Sequence, residues 1–188
     1  MMKLYTTDIL QEVSIANMLL INEKFSKDVI DRINKSFSKK KKLRQVTTRL
    51  MLVKIFKKLG IDPKNLKTMY YSKEGKLMIP NNDSLHLSIS YCNNKAICGI
   101  SKSAIGIDIE DLRKKVLNKN RRLLERFTKT KIESSLDFYK TWTAIESIAK
   151  TYEKGGLNKL FTDENFLKKR HNTKHILLED SFLIAISS

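Results

Sequence analysis

Two cysteines cannot build a disulfide framework, and the five residues separating Cys92 from Cys98 match no common zinc or redox spacing. Both are therefore expected to be free thiols packed in a core or strand. Two prolines and six glycines are too few for a disordered chain, and with 41% hydrophobic residues the balance is that of a packed globular protein. No apolar run approaches the roughly 18 residues of a membrane span; stretches such as Met18–Ile21 and Phe182–Ile186 are far shorter, so no membrane partner is expected. After Lys3 come Thr6, Thr7, Asp8, Gln11 and Glu12 rather than an apolar segment, so no secretory signal is visible and a cytoplasmic location is expected. No glycine-rich phosphate loop occurs, which argues against P-loop and Rossmann nucleotide sites.

Acidic residues are also scarce, 20 against 37 lysines and arginines, for a net charge of +17. Such an excess implies nucleic acid, an anionic membrane surface, an acidic protein or a phosphate-rich cofactor as company. Charge alone does not choose among them, because the lysines are spread along the chain and only Lys39–Lys42 forms a dense run. His171 and His175 stand four apart but lack acidic or thiol neighbours, which disfavours a metal site there; His86 has no assigned role.

At 188 residues the chain suits one domain or two small lobes. Lys3–Tyr5 can start a strand. Ser26, followed by Lys27 and Asp28, reads as an N-cap for a helix to about Lys35, and Ser38 as the cap of the next. Val46, Leu50, Val53 and Phe56 recur at helical spacing until Gly60 and Pro63 stop the run near Leu59. Short β-prone runs follow at Thr68–Tyr71, Leu77–Ile79, Leu85–Tyr91, Lys95–Ser101 and Ile105–Glu110, with Asn93-Asn94 as a hairpin turn. Helices return around Leu123, Leu124 and Phe127 and from about Ser134 to Tyr152, the second ended by Gly155 and Gly156. His175–Leu178 and Phe182–Ile186 flank Glu179, Asp180 and Ser181 as a terminal hairpin. Helices followed by strands, twice over and without short repeats, predict an α+β architecture.

Three groups of residues could carry chemistry. In Gly106-Ile107-Asp108-Ile109-Glu110, the period of two places Asp108 and Glu110 on one face of a strand. Like charges so close are costly unless solvent or a hard cation compensates, so the pair reads either as a solvated strand end or as oxygen ligands for a divalent ion. Trp142, Glu146 and Lys150 are each four apart and line one helical face, either as an ordinary core tryptophan with a helical ion pair or as part of a site. Lys76, with Ser88 and Ser90 on the following strand, offers a cation and hydroxyls of the kind that hold phosphate.

Taken in order, these motifs resemble the Sfp-type 4′-phosphopantetheinyl transferases. The resemblance runs through Arg44, Gly75-Lys76, Leu87-Ser88-Ile89-Ser90-Tyr91, Gly106-Ile107-Asp108-Ile109-Glu110, Arg126-Phe127, Trp142-Thr143 to Glu146 and Lys150, and Gly155-Gly156-Leu157, nearly the whole chain. It implies two similar α+β half-domains, residues 1–102 and 103–188, related by a pseudo-twofold with the active site in the cleft between them. It implies an enzyme that moves the 4′-phosphopantetheine arm of coenzyme A onto a serine of an apo acyl or peptidyl carrier protein, releasing adenosine 3′,5′-bisphosphate. Such carriers serve fatty acid, polyketide or nonribosomal peptide biosynthesis.

On this resemblance Asp108, Glu110 and Glu146 would hold Mg²⁺, with Mn²⁺ as an alternative ion. Glu146 and Lys150 would be catalytic. Arg32, Arg44, Lys76, Ser90 and Tyr91 would meet the phosphates on the adenosine side of coenzyme A, and Lys150 its pyrophosphate. An acidic carrier suits the basic surface, and a monomer is expected because both sides of the cleft come from one chain. The chain departs from the family pattern at Tyr91, where a histidine is common, at Val29 for a basic residue, at Leu77 for a proline, and at Ile145 for a lysine before the glutamate. Tyr91 and Ile145 suggest one alternative, a catalytically silent carrier-binding homologue. A basic nucleic-acid-binding protein is the other, disfavoured by the lack of any RNA or DNA motif or aromatic ladder.

Overall fold

A computed structural model of the chain describes residues 2–80, 85–152 and 172–188. The architecture is mixed α and β, and the chain divides into two compact units, Met1–Ser103 and Ala104–Ser188. No helix among the described residues is long and apolar enough to cross a membrane.

The first unit runs β1 (Lys3–Asp8), α1 (Ile15–Lys24), α2 (Lys27–Asn34), α3 (Lys39–Leu59), α4 (Lys64–Thr68), β2 (Tyr70–Tyr71), β3 (Leu77–Met78), β4 (His86–Cys92) and β5 (Lys95–Ser101). Serines begin its first three helices. The side chains of Ser14, Ser26 and Ser38 accept the backbone N–H of Asn17, Val29 and Lys41, each satisfying a donor the helix cannot. Gly60 closes α3 in the left-handed conformation, φ 64°, where a side chain would be strained.

An antiparallel sheet of order β1-β5-β4 is joined at its hairpin by Asn93, with φ 49°. Leu87 on β4 and Ala96, Cys98 and Ile100 on β5 share one sheet face and pack into a core with Ile21 of α1, Val29 and Ile33 of α2, and Val46, Leu52, Ile55 and Phe56 of α3. Because β-strand side chains alternate, Ser88 and Ser90 occupy the opposite face. Cys92 and Cys98 are buried free thiols, as their spacing implied.

The second unit runs β6 (Gly106–Asp111), α5 (Asn118–Thr128), α6 (Ser135–Thr151), β7 (Thr173–Leu178) and β8 (Phe182–Ser187), with an antiparallel sheet of order β6-β8-β7. A reciprocal cap starts α6: Ser134 Oγ accepts from the Asp137 backbone N–H, while the Asp137 carboxylate accepts from the Ser134 backbone. The Ser134 hydroxyl, donating to the Asp137 carboxylate at 2.7 Å, and then the Ser134 backbone N–H hold that carboxyl below its ordinary range. The helix lies across β6 and β8. Ser147 Oγ sits 2.7 Å from Ser187 Oγ, which is 2.7 Å from Thr173 Oγ1, so one hydroxyl chain ties α6 to both strands of the terminal hairpin. Glu179 and Asp180 turn that hairpin with φ 50° each.

Several expectations are corrected. Thr68 closes α4 rather than starting a strand, leaving only Tyr70–Tyr71 paired with Leu77–Met78. Helices α1 and α4 were not anticipated. Helix α6, in contrast, spans Ser135–Thr151 between the caps Ser134 and Tyr152, as expected, while Gly155, Gly156, Leu157 and His171 lie outside the described residues.

Candidate functional site

The acidic cluster lies wholly within the second unit, and a glycine brings it together. A Cβ on Gly106 would sit 1.7 Å from the carbonyl oxygen of Ser147, so only glycine lets β6 pass this close beneath α6. Two and four residues on, the same strand face carries Asp108 and Glu110, and α6 carries Glu146 and Lys150 one turn apart. Ile107 and Ile109, on the other strand face, are buried. The helix is held in rotation by Thr143 and Ser147, both buried, and by Ile145 in the core of the unit. Trp142 stacks parallel on Phe138, with ring centroids 6.1 Å apart.

Lys150 Nζ donates to Asp108 Oδ1 at 2.7 Å and lies 3.9 Å from Glu146 Oε2. Lys114 Nζ is 3.8 Å from Glu110 Oε2. Asp108 is only 2% exposed. Burial above all, and then the negative charge of Asp108, push the Glu146 carboxyl up to about 7, Lys150 opposing and Glu110 adding to the rise. Asp108 and Glu146 thus share the Lys150 ammonium, while Glu110 faces Lys114.

Carboxylate oxygens from Asp108, Glu110 and Glu146 are the donor type that suits a hard divalent cation. Gathering is less complete: among the described residues no three His, Cys, Asp and Glu side chains are assembled as a metal site, and the Lys150 ammonium supplies the positive charge between Asp108 and Glu146. The neighbouring Asp111 takes no part, because its carboxylate is gripped by Arg113 at 2.9 and 2.8 Å. His175 is engaged elsewhere, with Nε2 3.0 Å from the Lys140 carbonyl oxygen.

A second cluster lies within the first unit and is made of arginines on tyrosines. The Arg32 guanidinium stacks 4.0 Å over the Tyr71 ring, and Arg44 lies 4.7 Å from the Tyr91 ring centroid. Arg49 lies 5.5 Å from the Tyr71 centroid, donates to the Tyr71 hydroxyl, and donates to Thr48 Oγ1 at 2.7 Å. It is 3% exposed, and burial lowers its pKa against the pull of Tyr71 and Tyr91. Among the described residues none of these three arginines pairs with a carboxylate, and the Nε atoms of Arg44 and Arg49 are buried without a hydrogen-bond partner. A guanidinium stacked on a ring keeps its N–H edge for an oxyanion, a property that Arg32 and Arg44 have, whereas Arg49 is buried and gives its terminal nitrogens to Thr48 and Tyr71.

Gly75, with φ 83°, belongs to this cluster, since a Cβ there would come within 2.9 Å of an Arg32 terminal nitrogen. Lys76 follows it, its backbone N–H donating to Ser72 Oγ. Of the residues singled out in the sequence, Arg32, Arg44 and Tyr91 stand in the arginine–tyrosine stacks. Ser90 is buried on the opposite face of β4 from Tyr91. The sequence reading missed Arg49 and Tyr71. One signal was present: Arg49 interrupts a helical apolar stretch with Val46, Leu52 and Val53 at its three- and four-residue neighbours, and no acid there to pair with it.

No protein-family model matches the chain, and no curated protein matches it.

Proposed function

We propose that this protein transfers the 4′-phosphopantetheine arm of coenzyme A to a serine of an acyl or peptidyl carrier protein. The observation that carries the reading is that Lys150 links Asp108 of a strand to Glu146 of a later helix, with Glu110 close enough to act on the Glu146 carboxyl. Two further features support it. The counter-ion-free arginines of the first unit suit the phosphates of coenzyme A. The three-stranded sheets of the two units also follow one plan, with the last strand of the unit between its first and penultimate strands, all antiparallel, as expected of two similar half-domains.

In this reading the carrier serine Oγ bonds to the β-phosphorus of the pyrophosphate while the bond from that phosphorus to the bridging oxygen breaks. The electron pair leaves on adenosine 3′,5′-bisphosphate, and the serine proton passes to Glu146, directly or through a water. Proton transfer to a positioned carboxylate contributes typically ~10²–10⁴-fold. Asp108, Glu110 and Glu146 would hold Mg²⁺, which when bound masks pyrophosphate charge. Lys150 holds the pyrophosphate and meets the charge developing on the leaving oxygen. Arg32, Arg44 and Lys76 hold the adenosine-side phosphates, and Arg49 behind them fixes the Tyr71 ring on which Arg32 stacks.

The test is the intact mass of apo carrier proteins after incubation with this protein, coenzyme A and Mg²⁺. Gain of one phosphopantetheine arm is expected, and unchanged masses across fatty-acid, polyketide and peptide carriers would overturn the assignment.

A further inference from the structure

Away from both clusters, the first unit has an open cavity of about 310 Å³ between β1 and α3. One wall is the β1 stretch Tyr5–Asp8, and Leu10, Leu50, Met51 and Ile55 supply apolar surface. Lys54 and Lys58, one helical turn apart on α3, stand over it, with Lys58 Nζ 5.8 Å from the Tyr5 ring centroid. Neither lysine has a carboxylate partner among the described residues, and the nearby Asp8 is already taken by Lys95 at 3.1 Å. Strand β1 is the edge of its sheet, paired with β5 on one side only. No described backbone group bonds to its other side.

We propose that this groove binds an acidic, extended peptide segment as an added strand beside β1. A free strand edge is a row of backbone donors and acceptors that gain from a new strand, while a helix beside the edge provides the surface that reads side chains. Alternation in the added strand sends every second side chain towards α3, so the carboxylates of an alternating acidic segment, all on that face, reach Lys54 and Lys58 while the residues between them lie on the outer face of the sheet. The charge selects the occupant: a second copy of this +17 chain would set its own lysines against these, whereas an acidic peptide pairs both. The inference is independent of the transferase reading and stands or falls without it.

The experiment uses the full chain labelled for amide NMR and two eight-residue probes, one alternating valine with glutamate, the other valine with lysine. The valine–glutamate peptide should bind and slow hydrogen exchange at amides within Lys3–Asp8. Its affinity should fall at least about fivefold in the Lys54→Glu/Lys58→Glu double variant, the loss expected of two surface ion pairs. The valine–lysine peptide should not bind. Three results would overturn the proposal: exchange in β1 unchanged by the acidic peptide, equal affinity in the double variant, or protection of β1 that rises with protein concentration alone, which would give the edge to a second copy.

Discussion

Replacing Glu146 by glutamine removes the proton that the cluster holds at neutral pH, and the effect on stability has a definite sign. Burial and Asp108 raise the carboxyl from about 4.5 to about 7 in the folded protein. Below the unfolded value both states are protonated and the group contributes in full. As pH rises through 7 the folded state must ionise a buried acid, and that contribution is lost. The difference amounts to roughly 3 kcal/mol at most, and because the side chain is 20% exposed and shares Lys150, about 1–3 kcal/mol is the better range. Urea unfolding of wild type and Glu146→Gln without divalent cations, at intervals from pH 4.5 to 8, measures it. The two proteins should be nearly equal at pH 4.5, and the variant should be the more stable by that margin at pH 8. A variant less stable at pH 8, or a difference that does not change with pH, would refute the electrostatic account of the cluster.

Three further outcomes follow from packing. Gly106→Ala forces β6 away from Ser147 and should cost about 1–3 kcal/mol or more in the urea midpoint, with loss of the acidic cluster's geometry. Arg49→Met removes a buried cation that has no counter-ion, so stability should hold or rise while calorimetry shows coenzyme A affinity lowered at least about tenfold. Ser134→Ala deletes half of the reciprocal cap of α6 and should lower stability by about 1 kcal/mol in thermal or urea unfolding, a loss that leaves the site residues themselves untouched.

What could be read in the sequence was mostly local. The caps at Ser26 and Ser38 act within three residues, the Asn93-Asn94 turn within four, and the alternation of Gly106–Glu110 within one strand, so each is visible in a short window. Helix α1 escaped because Ile15 and Leu19 are exposed and only Ile21 is buried, leaving no clean apolar stripe. The α4 turn is too short to show a period. Within the candidate site, Asp108, Glu110, Glu146 and Lys150 were legible from period and spacing. Their meeting depends on Gly106 lying under Ser147, a contact between residues 41 positions apart that no window contains. The pairing of Arg49 with Tyr71 was illegible for the same reason: their bond joins the buried side of α3 to a two-residue strand.

The measurement that bears most directly on the central claim is the intact mass of an apo carrier protein in three parallel reactions with coenzyme A. They contain wild type with Mg²⁺, wild type with a chelator, and Glu146→Gln with Mg²⁺. Transfer in the first alone is the expected result; transfer undiminished in the glutamine variant, or none in any reaction with any carrier class, would contradict it.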